Sequence, residues 1–296
     1  MRLQAPTQDS NKLINVPQLL MDLIDQYWVK YKSECELCRY EFSSDAIRGV
    51  RIATRRMLAL VQLLDMLNLG ANLKNIRCAL KDQLDSFDSL RDTQVVLTEI
   101  SGTIQEIPNL LSFQEFLQKT EKRLLRSIKK KFRQIKPVES IKRIVKKSVI
   151  FNPEEMENIP VRMLHTVDEA FLITLQRGSW VRPFEAATIH SVRLAFKKFR
   201  YQVEMIHPAL GNFPQVNLKH MKDYQGAMGR IQDIEILLGI LANFASSEST
   251  FDPEPAFSFF KQRHTDAITE YLVDMHDLNH FWRDAPDHPF PWENAQ

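Results

Sequence analysis

Apolar residues recur every three or four positions through most of this 296-residue chain. That spacing lines one face of an α-helix with apolar side chains. Val16-Pro17 opens one such stretch, which runs to about Arg39. A second runs from about Asp45 to Leu69 and stops at Gly70; a third runs from about Leu73 to Ile100 and stops at Gly102. A fourth begins near Ser112 and continues through a lysine-rich segment to Pro137. No segment alternates apolar and polar residues with period two, so the pattern predicts an all-α chain without strands.

The same pattern then starts again. Ile159-Pro160 opens like Val16-Pro17, and Asp168 and Phe171 stand 143 residues after Asp25 and Trp28. AIRGVRIATRRM (46–57) matches TIHSVRLAFKKF (188–199) at an offset of 142. ALKDQLDSFDSLRD (79–92) matches HMKDYQGAMGRIQD (220–233) at 141, with Lys81/Lys222, Asp82/Asp223 and Asp92/Asp233 in register. A drift of two residues over three matched elements points to internal duplication. The expectation is two tandem four-helix bundles of long antiparallel helices, related by a pseudo-twofold. Residues 1–150 form the first half and 151–296 the second, and together they make one domain over about 16–285. The junction, 137–158, is flanked by prolines and holds a short basic helix at 140–149.

Charge changes the picture. The chain carries a net charge of only +2, yet residues 119–147 hold 13 Lys and Arg against 2 Glu, while 251–296 hold 9 acids against 3 Lys and Arg. A concentrated basic locus on a nearly neutral protein points to a placed anionic partner. With only 8 Gly in 296 residues, a turn-rich β-fold is disfavoured. No apolar run reaches the ~20 residues that cross a bilayer. The N-terminal residues lack a secretory pattern, and 3 cysteines make no disulfide framework, so a cytoplasmic protein with no membrane partner is expected. Oligomeric state is left open.

The basic residues fall on helix faces of their own. Arg48, Arg51 and Arg55 follow one another at i, i+3 and i+7, with Arg56 beside them, apart from the apolar stripe of Ile47, Val50, Thr54, Met57, Leu58, Val61 and Leu64. His190, Arg193 and Lys197 repeat the spacing, with Lys198, Arg200 and Tyr201 near them. Their apolar stripe is Ile189, Val192, Phe196, Phe199, Val203 and Ile206. Lys74, Arg77 and Lys81 continue the theme on the next helix, with Lys219 and Lys222 as counterparts. The fourth helix carries Lys119, Lys122, Arg126, Lys129, Lys130 and Arg133. Like charges at this spacing repel by about 0.2–0.5 kcal/mol per pair. Solvated faces usually interleave acids to relieve it; the first stripe has none, and the second has only Glu204 at its far end.

IRGVRIATRRM (47–57) resembles the first motif of the CHAD domains, the conserved histidine α-helical domain family. IHSVRLAFKKFRY (189–201) is similar to its second-half counterpart, and Leu90-Arg91-Asp92 and Gly229-Arg230-Ile231-Gln232-Asp233 resemble its paired Leu-Gly-x-x-x-Asp helices. The resemblance spans about residues 16–285. It implies two four-helix bundles whose basic residues line a groove or pore that binds inorganic polyphosphate. It implicates Arg48, Arg51, Arg55 and Arg56 with His190, Arg193, Lys197, Lys198 and Arg200. The family motif carries histidine where Arg48 stands, so anion binding is retained but a neutral imidazole at both symmetric sites is not. The alternating-glutamate motif of triphosphate-processing relatives is missing, and no catalytic domain is implied.

Non-catalytic polyphosphate binding, in association with polyphosphate granules, is therefore the expected function, with no cofactor and no metal. A nucleic-acid-binding module or a scaffold using the same faces is the alternative, and a phosphoanhydride-processing enzyme a more distant one. Stacking aromatics usually accompany nucleic-acid cations, and Tyr201 is the only aromatic on these stripes. Asp92 and Asp233 read as structural, capping a helix or pairing with an Arg of their own bundle. His220 and His264 are expected to join His190. His276 and His280 make half a metal site, and Cys35-Glu36-Leu37-Cys38 sits in a helical stretch without a second pair.

Overall fold

A computed structural model describes residues 16–69, 73–134, 158–183 and 185–293. The first run of helices is α1 (Val16–Glu41), α2 (Ser44–Met66), α3 (Leu73–Asp85), α4 (Asp88–Thr103) and α5 (Leu110–Gln134). The second is α6 (Ile159–Gly178), α7 (Ala186–Ile206), α8 (Gln215–Ser247) and α9 (Glu254–Asp274), closed by a 3-10 turn at Met275–His280. Among the described residues there is no strand, as the periodicity predicts. Helix starts in the second run follow those of α1, α2, α3 and α5 by 143, 142, 142 and 144 residues. The expected helix at 140–149 lies outside the described residues.

Local chemistry sets the helix ends. The Ser43 hydroxyl accepts from the Ala46 amide at 3.2 Å and caps α2, whose first turn also carries Asp45. Asn68, at φ 52°, closes the far end, where the Leu67, Asn68 and Leu69 amides return to the carbonyls of Leu63, Asp65 and Leu64. Proline stands in the first turn of α6, where its missing N–H costs nothing. The single helix expected over 73–100 is two. The Ser86 hydroxyl bonds back to the Gln83 carbonyl at 2.7 Å, and Phe87, fully buried, turns edge-on to Phe132 with centroids 5.4 Å apart. Side-chain competition for the backbone and an aromatic anchor break the helix there. In the second run the equivalent helix, α8, continues unbroken for 33 residues.

Within each run neighbouring helices pack: α1 on α2, α2 on α3, α4 on α5, α6 on α7, α7 on α8, α8 on α9. Between the runs, α2 meets α7, α4 meets α8 and α1 meets α6. Buried side chains from Val16 to Trp282 form one continuous cluster. The two apolar stripes read from the sequence are inside it save Leu58, which is half-buried: Ile47, Val50, Thr54, Met57, Val61 and Leu64 from α2, and Ile189, Val192, Phe196, Phe199, Val203 and Ile206 from α7, are each 2% exposed or less. Polar ties cross between the runs. Arg162 donates to the Leu67 carbonyl at the end of α2, Arg263 pairs with Glu99, and Asn109 Nδ2 donates to the Asp252 carbonyl at 2.8 Å.

Candidate functional site

Burying their apolar stripes against the core turns the basic faces of α2 and α7 toward one another. The guanidinium of Arg51 is mostly buried; its Nη1 donates to Asp88 Oδ1 at 2.9 Å and to the Leu84 carbonyl at 3.4 Å. Arg55 and Lys197 line one cleft of about 400 Å³, with Lys81, Lys198 and Tyr201 at its sides. Arg193 lies beside α8, outside the lining of that cleft: a methyl placed on Gly229 would stand 3.8 Å from Arg193 Nε. That Nε is buried without a hydrogen-bond partner, as is Nδ1 of His190 one turn earlier on α7.

These charges feel one another. Burial, with the positive neighbours Arg55 and Arg193, lowers the Lys197 ammonium to about 8. Burial lowers Arg193 and Arg51 as well, partly offset by Asp233 for the first and Asp88 for the second. Burial raises the carboxyls of Asp92 and Asp233; Asp88 adds to the rise at Asp92, and Arg193 and Arg91 oppose it at Asp233. Asp233 is exposed at the surface, so its desolvation comes from the protein mass around it rather than from enclosure. The result is a charge lattice drawn from α2, α4, α7 and α8, with Arg51, Arg55, Arg91, Arg193 and Lys197 against Asp88, Asp92 and Asp233. The site is a partly compensated cluster, less purely basic than the stripes suggest.

The structure thus sorts the residues singled out in the sequence. Arg51, Arg55, Lys81, Arg193, Lys197, Lys198 and Tyr201 come together. Arg56 is exposed and lines a separate cleft between α1 and α2, beside Tyr27 and Lys30. Arg200 faces away: its Nε donates to Gln225 Oε1 at 2.8 Å, it pairs with Glu204, and its guanidinium stacks over Tyr201 at 4.6 Å. Arg77 donates to Asp65 at 2.8 Å, and Lys81 stands 3.5 Å from Asp85. Arg48, Lys74, Lys122, Arg126, Lys130, Lys219 and Lys222 are exposed on their helices, and none lines the 400 Å³ cleft. The side chain of Arg133 lies outside the described residues.

Other expectations shift. The carboxylate that takes Arg51 is Asp88, one turn before Asp92 on the same face of α4. Asp233 lies within electrostatic reach of Arg193 of its own run and of Arg91 of the other. His220 opens on a different cavity of about 500 Å³ with Tyr224 and Tyr271, and His264 stands 4.0 Å from Glu235, so neither joins His190. His276 and His280 share Asp277, at 3.5 and 3.8 Å, but no three side chains among the described residues gather in a way that could hold a metal ion. Cys35 and Cys38 are buried, and burial pushes the Cys38 thiol up to about 12. That disfavours the thiolate that metal or redox chemistry requires. Among the described residues, no helix is long and apolar enough to cross a membrane. Arg91 and Asp88 were missed by the stripe pattern; their signal was the i, i+3/i+4 run Asp88, Arg91, Asp92 beside the Leu-Arg-Asp motif.

The fold defines an all-α class of protein, two packed runs of helices with cations from α2 and α7 at one cleft. The CHAD domain family model matches residues 24–242. The chain belongs to the CHAD domain family. A solved structure described as the crystal structure of the CHAD domain from the plant Ricinus communis matches with a TM-score of 0.60 and 17% identity. The match covers 95% of this chain and 94% of that one, and it establishes likeness of fold. No curated protein matches the sequence.

Proposed function

We propose that the cleft between α2 and α7 binds inorganic polyphosphate without turning it over, and that the protein associates with polyphosphate granules in the cytoplasm. The observation that carries the reading is a set of desolvated cations only partly paired by protein: Lys197 held to about 8, and Arg193 with a buried, unpartnered Nε. A polyanion entering the cleft supplies acceptors for these donors and cancels their mutual repulsion. Arginine forks grip phosphate oxygens in pairs, and lysines act as point charges. We further read residues 1–150 and 151–296 as duplicated four-helix halves of one domain. The near-constant displacement of helix starts, 142 to 144 residues, supports this.

The test is polyphosphate binding measured over a range of salt. Affinity should fall steeply as counterions are released. Arg193→Ala with Lys197→Ala should weaken binding at least tenfold and flatten the salt slope by about 0.7 per cation removed, the figure for a flexible single-stranded polyanion. Arg51 is not used for this test because it is already engaged by Asp88. Tighter binding of RNA or DNA at matched phosphate concentration would transfer the site to nucleic acid. Release of orthophosphate that is lost in the double variant would make the protein an enzyme.

A further inference from the structure

Polyphosphate has no apolar surface, yet buried Leu84 and half-buried Leu58, Ala59 and Met66 give the 400 Å³ cleft an apolar floor, with exposed Leu194 at its rim among Arg55, Lys81, Lys198 and the half-buried Lys197. A chain of phosphates engages the rim and leaves the floor unused. Such a floor suits the apolar or aromatic body of a small ligand, and the volume lies in the ~300–1,000 Å³ range of small-molecule pockets.

Gln202 adds a specific demand. It lines the same cleft, is 2% exposed, and its Oε1 has no hydrogen-bond partner; its Nε2 has only the Met66 sulfur at 3.9 Å. Turning the amide over would leave the nitrogen unpartnered in place of the oxygen. In either orientation a buried amide is left short of a partner, which is costly unless something supplies one. A ligand presenting a donor and an acceptor side by side on a flat edge satisfies both orientations. Tyr201 forms part of the adjoining wall, with the Arg200 guanidinium stacked on its ring.

An apolar planar body, an edge carrying donor and acceptor, and a phosphate chain within reach of the cations describe a nucleoside polyphosphate. We infer that this cleft binds nucleoside polyphosphates, with the base on the apolar floor against Gln202 and the phosphates on Arg55, Lys81, Lys197 and Lys198. This rests on the reading of the cleft as a phosphate site and adds a discriminating subsite to it.

The experiment compares ATP with inorganic tripolyphosphate, which matches its phosphate count, by calorimetry on the full chain at fixed pH and ionic strength without divalent metal. Long-chain polyphosphate is titrated in parallel. The expected result is ATP binding at least fivefold more tightly than tripolyphosphate. Gln202→Leu, which keeps the volume but loses the amide, should erase that preference while tripolyphosphate affinity stays put. Ala59→Phe, which fills the floor, should do the same and serves if the first variant fails to melt like the native protein. Equal affinity for ATP and tripolyphosphate, or a preference that survives in both variants, overturns the inference and leaves polyphosphate binding standing. An ATP preference without long-chain polyphosphate binding upholds the inference and overturns the broader reading instead.

Discussion

At the scale of single residues, two side chains carry opposite lessons. Lys197 is held near 8 by burial and by the positive charge of Arg55 and Arg193. Its free amine is already partly neutral at mildly alkaline pH, whereas a bound anion favours the ammonium. Binding then takes up a proton above pH 8, so polyphosphate affinity should decline as pH rises from 7 to 9.5. Lys197→Arg, permanently charged, should flatten that decline, as a titration series at constant ionic strength will read. Asp168 is the structural counterpart. It is buried and accepts from Trp282 Nε1 at 2.8 Å and from Arg283 Nε and Nη2 at 2.9 and 2.7 Å, tying the C-terminal turn to α6. Asp168→Ala strands an arginine and an indole N–H together, and should destabilise the fold by about 3–5 kcal/mol in urea unfolding. Neither partner of Asp168 is near in sequence, which is why that aspartate was legible only as an echo of Asp25.

At the scale of elements, α2 and α7 do two jobs with two faces. The apolar stripe buries and the basic face is left for the cleft, and both were legible in the sequence because a helix repeats every 3.6 residues whatever it packs on. The break at Ser86–Phe87 was not, because one hydroxyl-to-carbonyl bond and one aromatic contact with α5 end α3 inside an uninterrupted apolar pattern. The position of α2 rests partly on its cap. Ser43→Ala should cost about 1 kcal/mol of stability, read as a shift in denaturant midpoint, while polyphosphate affinity in the folded protein is unchanged. A loss of affinity without loss of stability would place Ser43 in the site rather than at the end of the helix.

At the scale of the molecule, the two runs share one continuous core and exchange ties at both ends, from Arg162 to Leu67 and from Asn109 to Asp252. Trp28 reports on the first run, and Trp180, Trp282 and Trp292 on the second. Unfolding followed by tryptophan fluorescence in Trp28→Phe and in the triple variant Trp180→Phe/Trp282→Phe/Trp292→Phe should give midpoints that coincide with circular dichroism for each protein, because runs that share a core unfold together. Midpoints that separate by probe would mean the halves are independent units. The charge lattice belongs to this scale too: Arg91 acts on Asp233, and Arg55 on Lys197, only because α4 meets α8 and α2 meets α7.

The order of residues along the chain determined which segments become helices, which faces are buried, and that cations recur in two matching sets, because each is a short-range consequence of helical periodicity. Which cations share a cleft, which are taken up by Asp65 or Asp88, and that an unsatisfied glutamine lies on an apolar floor beneath them, the tertiary structure alone decided. Charge and hydrogen-bond energies depend on through-space distance and burial, and side chains more than a hundred residues apart acquire both only when the two runs close on each other.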